Sequence, residues 1–145
     1  MKLTGTFSFA APRARVWQAL NDPAVLQRHM PGCESLDLIG PDEYKATLKV
    51  GVAAIKGTYI ATLKIKDRKD LEGYTLMVEG SGAPGFMKGE GRVLLADEGG
   101  RTVLTYEGDL QIGGLIARVG QRLLSGITEK MTRDFFESLG NEAVA

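Results

Sequence analysis

Cysteine and histidine are nearly missing: Cys33 and His29 are the sole residues of their kinds in the chain. A lone thiol cannot close an intramolecular disulfide, and one thiol with one imidazole cannot complete a tetrahedral zinc site. No metal site is expected, and a reducing cytoplasm is the expected setting. Net charge is missing too, because 18 Lys and Arg offset 18 Asp and Glu. With no global field to recruit polyanions, no nucleic-acid partner is expected. Long apolar runs are also absent. Nothing approaches the ~20 apolar residues that span a bilayer, and the opening MKLTGTFSFAAPRARVW lacks the apolar centre of a secretory signal. Any work at a membrane is therefore expected from the water side. Disorder is excluded by composition, since 43% hydrophobic and 25% charged residues are globular proportions.

What is present fits one domain spanning residues 1–145, with no internal repeat and no boundary. A chain of this size buries about 70% of the surface its unfolded form exposes, enough for a core without staples. Leu3 to Phe9 alternates as a half-buried strand. Pro12 suits the first turn of a helix carrying Val16, Trp17 and Leu20, and Asn21-Asp22-Pro23 stops it. Asp22 then caps a second helix through about Arg28, ended by Met30-Pro31-Gly32. From Cys33 to Gln111 the period is 2, predicting six strands near 34–39, 44–52, 56–66, 73–82, 86–96 and 101–111. The breaks are short, at Gly40 to Asp42, Ala53-Ala54, Asp67 to Gly73, Ala83-Pro84 and Asp97 to Gly100, so the strands form an antiparallel meander. The last segment, Gly113 to Leu139, spaces Ile116, Val119, Leu123, Ile127, Met131 and Phe135 at helical intervals. A continuous helix there would be roughly 40 Å long. The expected fold is α+β: seven curved antiparallel strands, two short helices after the first, and a long C-terminal helix over the concave face.

Alternation also predicts which side chains face that helix. They include Leu36 and Leu38, the row from Tyr44 to Val50, the row from Gly57 to Ile65, and all four tyrosines, Tyr44, Tyr59, Tyr74 and Tyr106. This face holds no Asp, Glu, His, Lys or Arg, so acid–base catalysis has no agent on the sheet floor. It is also small in places, at Ala46, Gly57, Ala61, Gly80, Gly89, Gly91 and Gly108. Missing volume means either a bend with close packing or an apolar pocket for a small molecule. The tyrosine hydroxyls either bond backbone or water at the rim, or one or two of them donate to a ligand oxygen. If a pocket forms, its expected lining is Tyr44, Tyr59, Ala61, Phe86, Met87, Gly89 and Tyr106 from the sheet. The helix would add Ile116, Val119, Leu123 and Ile127.

Three other signals are set aside. Gly80 to Gly85 reads G-x-G-x-x-G, but a strand rather than a helix N-terminus follows, so it has no pyrophosphate to hold. His29 and Cys33 could be half of a metal site or a Cys–His nucleophile pair, yet no further ligand or orienting acid accompanies them. Arg118, Arg122, Lys130 and Arg133 are interrupted by Glu129, Asp134 and Glu137, as on a solvated helix face.

The opening strand with Ala11-Pro12, Val16-Trp17 and Asn21-Asp22-Pro23 resembles the START-like, Bet v 1-like helix-grip superfamily. Met30 to Ser35, Gly85 to Gly89, Gly113 to Leu123 and Phe135-Phe136 are similar to motifs of the carbon monoxide dehydrogenase CoxG family. That resemblance implies a non-catalytic accessory protein of aerobic, molybdenum-containing carbon monoxide dehydrogenases and related hydroxylases. Such a protein would bind an isoprenoid quinone, menaquinone or ubiquinone, with no covalently bound cofactor. It would bring the dehydrogenase to the inner face of the cytoplasmic membrane. Some members of the family continue into a linker and a membrane-binding tail, whereas this sequence ends at Ala145. The readings left by that ending are a soluble carrier, a short paralogue serving another hydroxylase, or docking through the long helix. Two alternatives stand beside the carrier: a protein-interaction adaptor with a filled core, and a small START-like enzyme such as a cyclase.

Overall fold

The computed structural model describes residues 1–52 and 55–144. Strand β1 (Lys2–Phe9) is followed by helices α1 (Arg13–Leu20) and α2 (Pro23–His29). Then come β2 (Cys33–Gly40), β3 (Glu43–Val50), β4 (Gly57–Lys69), β5 (Gly73–Gly82), β6 (Gly85–Glu98) and β7 (Arg101–Gly113). A 3-10 turn (Leu115–Val119) leads into the long helix α3 (Gln121–Val144). The seven strands form one antiparallel sheet in the order β1-β7-β6-β5-β4-β3-β2. This is the expected helix-grip architecture, and the strand bounds follow the alternation closely. The expected break at Ala53-Ala54 lies outside the described residues.

The short helices begin and end as their residues dictate. Pro12 lies one position outside α1, as its extended N-cap (φ −63°, ψ 151°), rather than within the first turn. Asp22 caps α2 by accepting from the Ala24 N–H at 3.0 Å, with Pro23 opening the helix. The core sits where α1, α3 and the β1 end of the sheet meet: Phe9, Val16, Leu20, Leu104 and Leu139 are each 2% exposed or less.

Two expectations need correction. The last helix is not continuous from Gly113. Gly114 (φ 80°) and Gly120 (φ 100°) adopt left-handed backbone that side-chain-bearing residues avoid, and they isolate the 3-10 turn between them. α3 itself has 24 residues, about 36 Å at the α-helical rise. Leu38 does not face inward but is 63% exposed. β2 is an edge strand whose register shifts between Leu38 and Gly40, so alternation fails at its far end.

Candidate functional site

Helix α3 packs on β1, α1 and α2, and an apolar cavity lies between it and the middle of the sheet. The cavity has two lobes, of about 300 Å³ and 280 Å³. They share Met30, Leu48, Leu63, Met131 and Thr132 as walls, so they are neighbouring parts of one hollow. Its floor is low because small residues align across the central strands. Ala46 pairs with Ala61, Ala61 with Gly80, and Gly80 with Met87. A Cβ at Gly80 would touch the nearest atom, Ala61 Cβ, only at 3.5 Å, ordinary contact distance.

Most other inward glycines serve close packing instead. A Cβ at Gly57 would come within 2.9 Å of Pro84 Cγ, and one at Gly108 within 3.1 Å of the Glu90 carbonyl. At Gly89 the Leu110 side chain already occupies the space a Cβ would need. Of the glycines, then, Gly80 opens volume, and those at 57, 89 and 108 let neighbours approach.

One lobe gathers Tyr59, Ala61, Met87, Ile116 and Ile127. Tyr44 lines the other, together with Leu36, Ile65, Tyr74 and Phe135. The structure does not bring Phe86, Gly89, Tyr106, Val119 or Leu123 to the cavity. Phe86 is 50% exposed because it precedes Met87 on the strand and therefore points to the opposite face, where its ring covers Gly113. The Tyr106 ring lies over Gly5 and against Phe136, with centroids 5.5 Å apart. Val119 ends the 3-10 turn. The helical phase restarts after Gly120, so Leu124 turns inward at 7% exposure while Leu123 is 50% exposed.

The residues missed by sequence reasoning were partly visible. Leu48, Leu63 and Tyr74 were already on the inward face, and Met131 on the helix stripe. Met30 was read only as part of a turn, although it closes α2 directly over both lobes.

The walls carry no carboxylate, imidazole, ammonium or guanidinium group. Even their hydroxyls are largely committed. Thr128 Oγ1 donates to the Leu124 carbonyl at 2.7 Å and Thr132 Oγ1 to that of Thr128 at 2.8 Å, so the roof presents threonine methyls. Tyr59 donates to the Ile55 carbonyl at 2.5 Å. Burial pushes the Tyr74 phenol up to about 12, with Arg68 lowering it and Tyr44 raising it. Burial likewise raises the Tyr59 phenol and, with a smaller push from Glu129, the Tyr106 phenol.

His29 and Cys33 have structural partners. The His29 ring hydrogen-bonds Ser138 through Nδ1 and Glu142 through Nε2, the latter at 2.5 Å, and Arg28 also pairs with Glu142. These contacts clip the end of α2 to the end of α3. Cys33 donates to the Ser35 carbonyl at 3.3 Å, and burial pushes its thiol up more than that bond lowers it.

Among the described residues no helix is long and apolar enough to cross a membrane. A conserved protein from Geobacillus kaustophilus is 38% identical, with a TM-score of 0.97 over 99% of this chain and 95% of that one. A START superfamily protein from Mycobacterium smegmatis is similar in fold, with a TM-score of 0.76 at 12% identity over 98% of this chain and 96% of that one. So is Ara h 8.0201, with a TM-score of 0.75 at 14% identity over 99% and 97% of the two chains. No curated protein matches the sequence significantly. The family model for carbon monoxide dehydrogenase CoxG matches residues 5–144. With that match running through every element around the cavity, the chain belongs to the carbon monoxide dehydrogenase CoxG family.

Proposed function

We propose that this chain acts as one non-catalytic, domain-sized carrier. It would hold an isoprenoid quinone, menaquinone or ubiquinone, non-covalently between the sheet and α3. In that role it would link an aerobic molybdenum-containing carbon monoxide dehydrogenase, or a related hydroxylase, to the cytoplasmic membrane from the cytoplasmic side. The observation that carries this reading is the two-lobed cavity with purely uncharged walls, in a chain of this family. A quinone supplies its own redox chemistry, so the protein need only bury and present it. The driving force would be apolar burial, about 25 cal/mol per Å² before the costs of association. Peripheral membrane contact is supported by Val52, 41% exposed beside Ile127 and Lys130 at one opening, and by the exposed Leu123 one turn earlier on α3.

The cavity weighs against an adaptor with a filled core. A cyclase would need a proton donor or acceptor in the wall, and His29 is engaged with Ser138 and Glu142 away from it. The test is mass spectrometry of organic extracts of the protein purified from its native host, against an unrelated control protein. A stoichiometric quinone or prenyl lipid is expected. Trp17 gives a second readout: it is the sole tryptophan and packs edge-on against the cavity residue Tyr74, with centroids 5.9 Å apart. A blank extract, together with no quenching of Trp17 by added quinone, would overturn the carrier reading in favour of the adaptor.

A further inference from the structure

The inward-facing tyrosines differ in what their hydroxyls do. Tyr59 donates to the backbone, and Tyr106 lies outside the cavity lining. Tyr44 and Tyr74 are 7% and 8% exposed, and both line the same lobe. Neither hydroxyl has a hydrogen-bond partner among the described residues, whose one sealed and unpartnered side-chain polar atom is Asn21 Oδ1. The two phenol oxygens are therefore not sealed in protein but open onto free space, and the space their lobe offers is the cavity. Buried hydroxyls normally find partners. Two left open at one end of an otherwise apolar hollow leave donors for a group that arrives from outside.

We propose that Tyr44 and Tyr74 form the polar end of the ligand site, each donating a hydrogen bond to a neutral carbonyl at the ligand's head. The hydrocarbon remainder lies in the other lobe, along Ala61, Gly80, Ile116 and Leu124. The assignment rests on the carrier reading above and adds a direction to it. Three observations support it. Burial keeps the Tyr74 phenol protonated far above neutral pH, so it stays a donor. The roof offers no competing donor, since Thr132 is bonded to its own helix. A carboxylate head would find no cation in the wall, because Arg68, the base nearest in its influence on Tyr74, is paired with Asp42 at 2.6 Å.

The test compares two probes of one shape, menadione and methylnaphthalene, which differ in their carbonyl oxygens. Binding is measured for the wild type, Tyr44→Phe, Tyr74→Phe and the double variant, each of which keeps its rings and so its packing. Each single change is expected to weaken menadione about 3- to 10-fold, the effect of one hydrogen bond, and to leave methylnaphthalene unchanged. If the wild type binds both probes and the variants lose both equally, or neither, the head assignment is overturned and the carrier reading stands. If the wild type binds neither probe, both fall together. Decanoic acid bound as tightly as menadione would overturn the preference for a neutral head.

Discussion

The two halves of α3 face the same sheet and do opposite things. Toward its C-terminus, Phe136, Leu139 and Gly140 press directly onto β1 and its neighbours. Phe136 stacks with Phe7 and Phe9 at centroid separations of 5.9 and 6.4 Å, Leu139 is fully buried, and a Cβ at Gly140 would lie 2.8 Å from the Phe9 ring. Toward its N-terminus, Leu124, Ile127, Thr128 and Met131 roof a hollow. The difference lies in what the sheet supplies beneath: bulky phenylalanines on β1, small residues on β3 to β5. One end is anchored so that the other can span open volume.

That contrast is breakable. Leu139→Ala removes a fully buried side chain from the anchored half and is expected to cost about 2–5 kcal/mol in denaturant unfolding. Met131→Ala, on the hollow half, is expected to cost about 1 kcal/mol or less, because one side of it already faces space. Equal costs would mean the hollow half is packed in solution. Ala61→Phe places a ring in the cavity and is expected to weaken menadione binding at least tenfold, about 1.4 kcal/mol, with the unfolding transition retained. Gly89→Leu cannot serve the same purpose, because Leu110 already fills that space.

A smaller effect is expected at Gly140→Ala. Alanine favours the helix by about 1 kcal/mol, yet the methyl would press on the buried Phe9 at a cost of about 1–3 kcal/mol, for a net loss near the first of these figures. A gain in stability would show that the anchored half is looser than described. The smallest effect is electrostatic. The hydrogen bond from Arg28, then that from His29, holds the Glu142 carboxyl below its ordinary 4.5. A depressed pKa adds stability above the ordinary value, and that contribution is lost as pH falls through the lowered one. Glu142→Gln should therefore lower the unfolding midpoint at neutral pH and make no difference well below the lowered pKa. A gap that persisted in acid would place its cause elsewhere.

The sheet was legible because period-2 alternation survives wherever one face is covered. The reading of residues 73–82 matches β5 at both ends, and the charge-free concave face emerges from the same pattern. Legibility ended where a local signal had two physical meanings. Ile116, Val119, Leu123 and Ile127 keep helical spacing straight through Gly120, so the apolar stripe hid a break that only a left-handed φ reveals. Gly80 and Gly89 look alike in sequence. One opens space and the other yields it to Leu110, a distinction set by a cross-strand neighbour's side chain. The site suffered most from the helix phase, which put Leu123 in place of Leu124. Met30 was lost because a residue ending a helix was treated as a turn.

The 3-10 turn carries a consequence measured in time. Ile116 is 7% exposed, closes one end of the hollow, and is tied by its own N–H to the Pro84 carbonyl at 2.9 Å. That amide cannot trade its proton for deuterium until the turn parts from the β5–β6 connection, the same movement that uncovers the end of the hollow. Its exchange rate is thus a clock for how often this end of the protein stands open.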